Sequence, residues 1–411
     1  MEQQELIPHL FRTESRKLTA VLCKLFGIEN VSIAEDVVSE TFLAALESWP
    51  YKGIPENPVA WLYTVAKNKA KNLISRGHLF NDKIKPQVEA GTALGEEFEI
   101  DLSPKNIADS QLQMLFAICH PAIPAEAQIG LALCILCGFG IDEIANAFLS
   151  NKETINKRLF RAKEKLRTER VAIAFPPEAE IGNRLQAVLT TLYLLFNEGY
   201  YSESRDTILR NDLCLEAMRL TYMLIEYPPT NQPDVNALLA LMCFHASRFE
   251  ARKDANGAVI LYNDQDESLW NQELIAKGAY YLNEASTGNK LSKYHIEAGI
   301  AYWHTIKEDT TEKWEGILHL FNQLLMIEYS PVAALNRTYA LSKVRGNRIA
   351  IIAAEKLNLS NNHFYYTLLG ELYKTIDPQE AQSNLLKALH LAKTQADKQL
   401  IRRKIEELEN L

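Results

Sequence analysis

The chain has 411 residues, with 44 Lys+Arg against 52 Asp+Glu, a net charge of −8 and 47% hydrophobic residues. That length is too great for one compact core and suggests roughly two to four domains. No run reaches the roughly 18 uninterrupted apolar residues of a membrane helix. The N-terminus, MEQQELIPHLFRTESRKL, lacks the basic start and apolar centre of a signal peptide. The expectation is a cytoplasmic protein with no membrane partner. Long segments of helical periodicity, with few alternating Val/Thr-rich runs, predict an all-α fold.

Residues 5–30 read as an amphipathic helix or helix pair, with Leu6, Leu10, Leu18, Val21, Leu22 and Leu25 available for a core. Ser32 and Glu35 have capping-box spacing and open SIAEDVVSETFLAALESW. Val38, Phe42, Ala45, Leu46 and Trp49 recur on its inward side, leaving Glu35, Asp36, Ser39, Glu40 and Glu47 as an acidic face. Such a face is either simply solvated or docks on a basic helix. Pro50 to Pro58 reads as a loop. A second helix then starts with Asn57 as cap and Pro58 at its first position. In WLYTVAKNKAKNLISRG, Leu62, Val65, Ala66 and Leu73 point inward, while Lys67, Lys69, Lys71 and Arg76 add four positive charges with no acid between Trp61 and His78. Trp61 and Tyr63 precede the basic run, beside Thr64, Asn68 and Asn72. Aromatics that stack on bases beside lysines that follow phosphates suit single-stranded nucleic acid. A core role for Trp61 and a merely solubilising role for the lysines fit the same pattern.

Residues 79–107 have weak periodicity and gather Glu89, Glu96, Glu97, Glu99 and Asp101, which reads as an acidic linker. Helices resume over 108–120 and 125–138. In IDEIANAFLSNKETINKRLFRAKEKLRTER, residues 141–170, Ile141, Ile144, Ala145 and Phe148 form the buried stripe of a short helix. Ser150 and Glu153 have capping-box spacing, and Ile155, Leu159, Ala162 and Leu166 form the inward stripe of the next helix. The rest of that helix carries eight bases against three acids, in a chain that is acidic overall. A helix-turn-helix with its second helix in a major groove has this form, as does an ordinary helical hairpin with a solvated basic face. After Phe175-Pro176-Pro177 the composition changes. Further helices are expected around 213–226, 234–250, 268–283 and 290–306. From about Trp314 paired helices recur, with second helices near Ser330-Pro331, His363 and Ala396, which approximates the tetratricopeptide period.

The six cysteines all lie in apolar helical segments. The pair Cys134 and Cys137 has no second pair to complete a metal set, so all are expected to be small core residues. No P-loop, GxSxG or HExxH motif is present, and no enzymatic activity, metal or cofactor is expected.

The order of elements resembles an extracytoplasmic-function RNA polymerase sigma factor of the sigma-70 family. AEDVVSETFLAAL at 34–46 resembles region 2.2, NPVAWLYTVAKNKAKNLISR at 57–76 resembles regions 2.3 and 2.4, and residues 109–167 resemble region 4. CHPAIPAEAQ, NKRLFRAKEK and LYLLFNEGYYSES at 192–204 are similar to a subgroup with a long, tetratricopeptide-like C-terminal extension. The resemblance implies region 2 over 1–78, a linker over 79–107, region 4 over 108–171 and a helical extension over 178–411. It implies RNA polymerase core and promoter DNA as partners, with contacts to the β′ clamp helices and the β flap. The size and acidity of residues 178–411 suggest that they regulate the sigma unit in cis by masking its basic helices, and a repeat surface there could also take a protein regulator. Asp36, Glu40, Phe42 and Leu43 would bind the clamp helices. Trp61, Tyr63, Thr64, Lys67, Asn68, Lys71, Asn72 and Arg76 would meet a melted minus-10 element, and Lys152, Thr154, Asn156, Lys157, Arg158 and Arg161 a duplex minus-35 element. Many family members have Asp where Asn72 stands, and many have Gly in the turn at Leu149–Asn151. The minus-10 preference therefore does not carry over. Without the resemblance, a helix-turn-helix regulator that does not replace sigma, or a repeat scaffold that binds no DNA, would also fit.

Overall fold

The structure is a computed structural model and describes residues 3–75, 100–148, 150–200, 211–252, 260, 262–288 and 290–409. Every extended regular element among the described residues is a helix, as the 3.6-residue periodicity requires, so the fold is all-α. The chain divides into two compact units, residues 1–195 and 196–411.

In the first unit, α1 (Gln3–Phe26), α2 (Val31–Lys52) and α3 (Pro58–Ser75) pack on one another. The predicted cap at Ser32 is displaced. The helix begins at Val31, and Asn30 turns its amide back onto the Phe26 carbonyl at 2.7 Å. Pro50 does not open a loop either. It sits inside α2, which ends at Gly53, whose φ of 82° is open to glycine and strained for other residues. The cap of α3 is as expected: the Asn57 side chain accepts from the Ala60 N–H at 3.0 Å. Replacing Asn57 by Ala is expected to cost about 1 kcal/mol. That would lower the unfolding midpoint of this unit by about 2–4 °C, measurable by calorimetry.

The expected linker spans residues 79–107, and its part from 79 to 99 lies outside the described residues. Residues 104–107 are already helical, because Ser103 caps α4 (Pro104–Ile118) by accepting from Asn106 N–H. α5 (Ala125–Leu131) runs into a π-helical turn, Ala132–Leu136. α6 (Ile141–Ala147) and α7 (Lys152–Thr168) follow. Ile155, Leu159, Ala162 and Leu166 are all buried, so α7 turns inward the stripe its spacing predicts. Its cap is Asn151 rather than Ser150, with the Asn151 side chain accepting from Thr154 N–H at 2.7 Å. Gly130 permits the close approach of α5 to α7, since a Cβ there would lie 2.9 Å from Leu159 Cδ2. α1 also packs on α4, and α7 packs on the turn Ile28–Asn30. The first three helices and the α6–α7 pair thus belong to one compact unit.

α8 (Glu178–Tyr200) begins in this unit, and the division falls inside it. Arg184 donates to the Phe116 carbonyl at 2.6 Å, and Thr191 to the Gln128 side chain at 3.2 Å. Phe175 lies edge-on to Phe116.

The second unit contains α9 (Asn211–Glu226), α10 (Pro233–Ala246), α11 (Gln272–Ala285) and α12 (Lys293–Trp303). α10 is buried along almost its whole length and packs on α9, α11 and α12. Beyond it lie α13 (Thr311–Ile327), α14 (Pro331–Arg345), α15 (Asn347–Glu355), α16 (His363–Tyr373), α17 (Pro378–Leu391) and α18 (Gln395–Glu409), each packed on the next. α14, α16 and α18 start 32 residues apart. Ala333 and Ala340 are buried in the α13–α14 core. Gly370 lets α16 and α17 meet closely: a Cβ there would lie 2.6 Å from Leu385 Cγ.

Candidate nucleic-acid interface

α3 is amphipathic because Leu62, Ala66 and Ala70 recur at four-residue spacing and are fully buried. Val65 and Leu73, expected inside, are half-buried. The opposite line, Thr64, Asn68 and Asn72, is exposed at the same spacing, with half-buried Lys67 and Lys71 flanking it. Amide and hydroxyl groups can pair with base edges, and the ammonium groups on either side can follow a phosphate backbone.

Two aromatics expected in this set are held differently. The Tyr63 hydroxyl donates to Glu14 Oε2 at 2.6 Å. Burial, then that hydrogen bond and the Glu14 charge, push its phenol well above its usual range. Tyr63 is thereby tied into the α1–α3 contact and does not belong with the exposed line. Trp61 packs edge-on against Trp49 at 5.4 Å and is half-buried, combining a core contact with a partly open face. Lys69 pairs with Glu40 of α2 at 2.9 Å. Arg76 lies outside the described residues.

On α2, Asp36, Glu40 and Leu43 share an exposed face, Leu43 being 51% exposed. Phe42 does not join them. It is 3% exposed and lies edge-on to Phe11 at 5.0 Å, so it supports the face from inside. Leu46, expected inside, is exposed beside Leu43 and adds to the apolar part of that face.

On α7, Thr154, Asn156, Lys157 and Arg161 are exposed. Arg158 is half-buried, its guanidinium over the Phe148 ring at 5.7 Å, which links α7 to the end of α6. Lys152 pairs with Asp142 and Lys157 with Glu153, at 2.9 and 2.8 Å. These pairs are exposed and weak, about 0–1 kcal/mol, so they yield readily to a phosphate. Phe160 also stands on this helix face, unmarked by the charge pattern. It is 67% exposed between Lys157 and Arg161, a position where an apolar side chain has no core to fill. An aromatic on a basic helix face was the available signal. Together α3 and α7 present two polar, positively flanked helix faces, one rich in amides and one in guanidinium groups.

Residues 10–78 match sigma-70 region 2, and residues 184–286 match a family of unknown function, DUF6596. An uncharacterized protein of Rhizobium meliloti (strain 1021) is 34% identical over 386 residues, which span 92% of this chain and 90% of that protein. The chain belongs to the same family as this Rhizobium protein, and its N-terminal part carries a match to sigma-70 region 2. The chain is also similar to the RNA polymerase sigma-H factor of Pseudomonas aeruginosa. That protein is 26% identical over 180 residues, covering 40% of this chain and 91% of its own length. No solved structure matches the chain. The region 2 match covers α2 and α3, and so includes both the acid-apolar face and the exposed line Thr64–Asn68–Asn72.

Proposed function

We propose that this sigma-70-family protein directs promoter-specific transcription initiation as an extracytoplasmic-function sigma factor. In this reading α3 holds the melted minus-10 element, with Thr64, Asn68 and Asn72 toward bases and Lys67 and Lys71 toward phosphates. The second helix of the helix-turn-helix lies in the minus-35 major groove with Thr154, Asn156, Lys157 and Arg161 toward the DNA. The face of Asp36, Glu40 and Leu43 docks on a basic helix of the polymerase core. The observation that carries this reading is the exposed amide line of α3, flanked by lysines, inside the residues that match region 2. The chain contributes promoter choice and no catalytic group, and it acts in the cytoplasm, where polymerase is found. The helix pairs beyond Thr311 act as a tetratricopeptide-like surface that controls the DNA-binding unit within the same chain, their shared 32-residue spacing supporting that role.

Run-off transcription with purified core polymerase and a promoter library tests the reading. Transcripts from a defined promoter set are expected, and a chain that binds promoters without core polymerase and yields no transcript would favour an ordinary regulator. Leu43→Asp places a charge in the middle of the exposed face of α2. It is expected to weaken core binding roughly tenfold or more while changing stability by less than about 0.5 kcal/mol. Pull-down with core and thermal unfolding of the same sample measure both.

A further inference from the structure

In the second unit, Asn271 N–H donates to the Ser247 carbonyl at 2.8 Å, which sets Trp270 next to Arg248 in the backbone. Both side chains are buried, Arg248 at 7% exposure and Trp270 at 4%. Arg248 Nε and Trp270 Nε1 each lack a hydrogen-bond partner. Among the described residues, no carboxylate lies within ion-pair distance of Arg248. Its guanidinium sits over the Tyr262 ring at 5.5 Å, and that ring stacks on Trp270 at 6.1 Å. Tyr262 also holds a second buried cation: its hydroxyl accepts from Lys313 Nζ at 2.9 Å while donating to the Ile306 carbonyl at 3.0 Å. Asp309, whose field reaches Lys313, is already taken by Lys343 at 2.9 Å and by the Trp314 indole.

A buried guanidinium without a counter-charge is strongly unfavourable, and so is a buried indole N–H without an acceptor. A ligand with acceptor oxygens would satisfy both groups. The same positive field reaches the neighbouring His304. His304, edge-on to Tyr262, is held down to about 4 by burial first and then by the charges of Arg248 and Lys313, against the pull of the Ile300 carbonyl.

We propose that Arg248 and Trp270, backed by Tyr262 and Lys313, form a binding site for the oxyanion head of a small molecule, a phosphate or a carboxylate. The planar fork of Arg248 suits two oxygens of such a head, and the indole N–H is a further donor. The site lies mostly within the residues that match the family of unknown function, and it stands independently of the promoter reading.

The test is thermal unfolding of the full chain in sodium phosphate, sodium acetate and sodium chloride at matched ionic strength. A saturable rise in the midpoint with phosphate alone, acetate alone or both supports the site and tells the two sources apart. No rise over chloride with either salt overturns it. In Arg248→Gln the response is expected to weaken roughly tenfold or more. The ligand-free midpoint of that variant should stay level or rise, because an uncompensated buried charge has been removed. A variant that keeps the full response overturns the proposal. Should the variant fold poorly, NMR titration of His304 in the unaltered chain decides. Its ionisation moves upward when phosphate or acetate fills the site, and an unchanged titration in both salts overturns the proposal.

Discussion

Arg161→Glu is expected to reduce minus-35-dependent initiation by about 10–100-fold while leaving core binding and thermal stability unchanged. Arg161 is exposed on α7, one turn beyond Lys157 and next to the exposed Phe160. In the proposed minus-35 role, a guanidinium at such a place would contact either a guanine edge or a phosphate. A good bidentate base contact is worth about 1–3 kcal/mol, and reversing the charge adds repulsion from the DNA backbone. Arg158 is the less clean position, since its guanidinium rests over Phe148 and its loss would also loosen α7 on α6. The salt dependence of promoter binding separates the two ways in which Arg161 could act. Loss of a phosphate contact lowers the log–log slope by about 1, whereas loss of a base contact relaxes sequence preference at one position. Lys165→Glu is the companion variant: Lys165 lies a further turn along and is paired with Glu169 at 2.6 Å, so its effect should be smaller. Normal initiation by Arg161→Glu, or loss of core binding by it, would remove α7 from the minus-35 role.

The contrast between α3 and α7 indicates what the sequence made legible. Both helices announced themselves through buried residues at three- and four-residue spacing, a pattern that few other folds produce. Caps were less legible. Ser32 and Ser150 had the right spacing to a Glu, yet the chain uses Asn151 for α7 and starts α2 without a side-chain cap. Asn next to a helix start satisfies the same free amides, so neighbouring residues compete and sequence spacing alone does not choose. Among the residues singled out from the sequence, Thr64, Asn68, Asn72 and Arg161 are exposed as their spacing suggested, while Phe42 is buried and Tyr63 is tied to Glu14. Phe42 falls between the acidic face of α2 and its core, and its partner, Phe11, is 31 residues away in sequence. The tie between Tyr63 and Glu14 is likewise a contact between α3 and α1 that no local pattern encodes.

Arg248 was illegible for a related reason. An Arg between Ser247 and Phe249, inside the helix expected over 234–250, carries no local sign of burial, because burial of a charge follows from tertiary packing alone. The recurring helices of the second unit show the opposite case. Their 32-residue spacing was readable from Pro331 and His363 because each start carries a local signal, a proline at the first turn or a cap.

A chain ending at residue 175 is expected to lose cooperative folding, whereas one ending at residue 200 retains it. Phe175-Pro176-Pro177 marks a change of composition, and by sequence it is the natural place to separate a DNA-binding part from a regulatory part. The first compact unit nevertheless extends to Leu195. In that unit, α8 supplies Ile181, Leu185, Val188, Leu189 and Leu192, all buried, and it satisfies the Phe116 carbonyl through Arg184. Burying each such side chain contributes about 1.5–3 kcal/mol. Five of them amount to about 10 kcal/mol, which is comparable to the whole stability of a typical domain, about 5–15 kcal/mol. Circular dichroism and thermal unfolding of the two truncations measure the difference, and a sharp transition in the shorter chain would show that α8 is dispensable to the unit. The outcome governs how regulation is tested. An inactive 1–175 chain would reflect lost structure, so control by the second unit is read by comparing the full chain with residues 1–200. Higher initiation by 1–200 means that the second unit restrains the DNA-binding helices, lower initiation means that it assists them, and equal initiation removes it from their control.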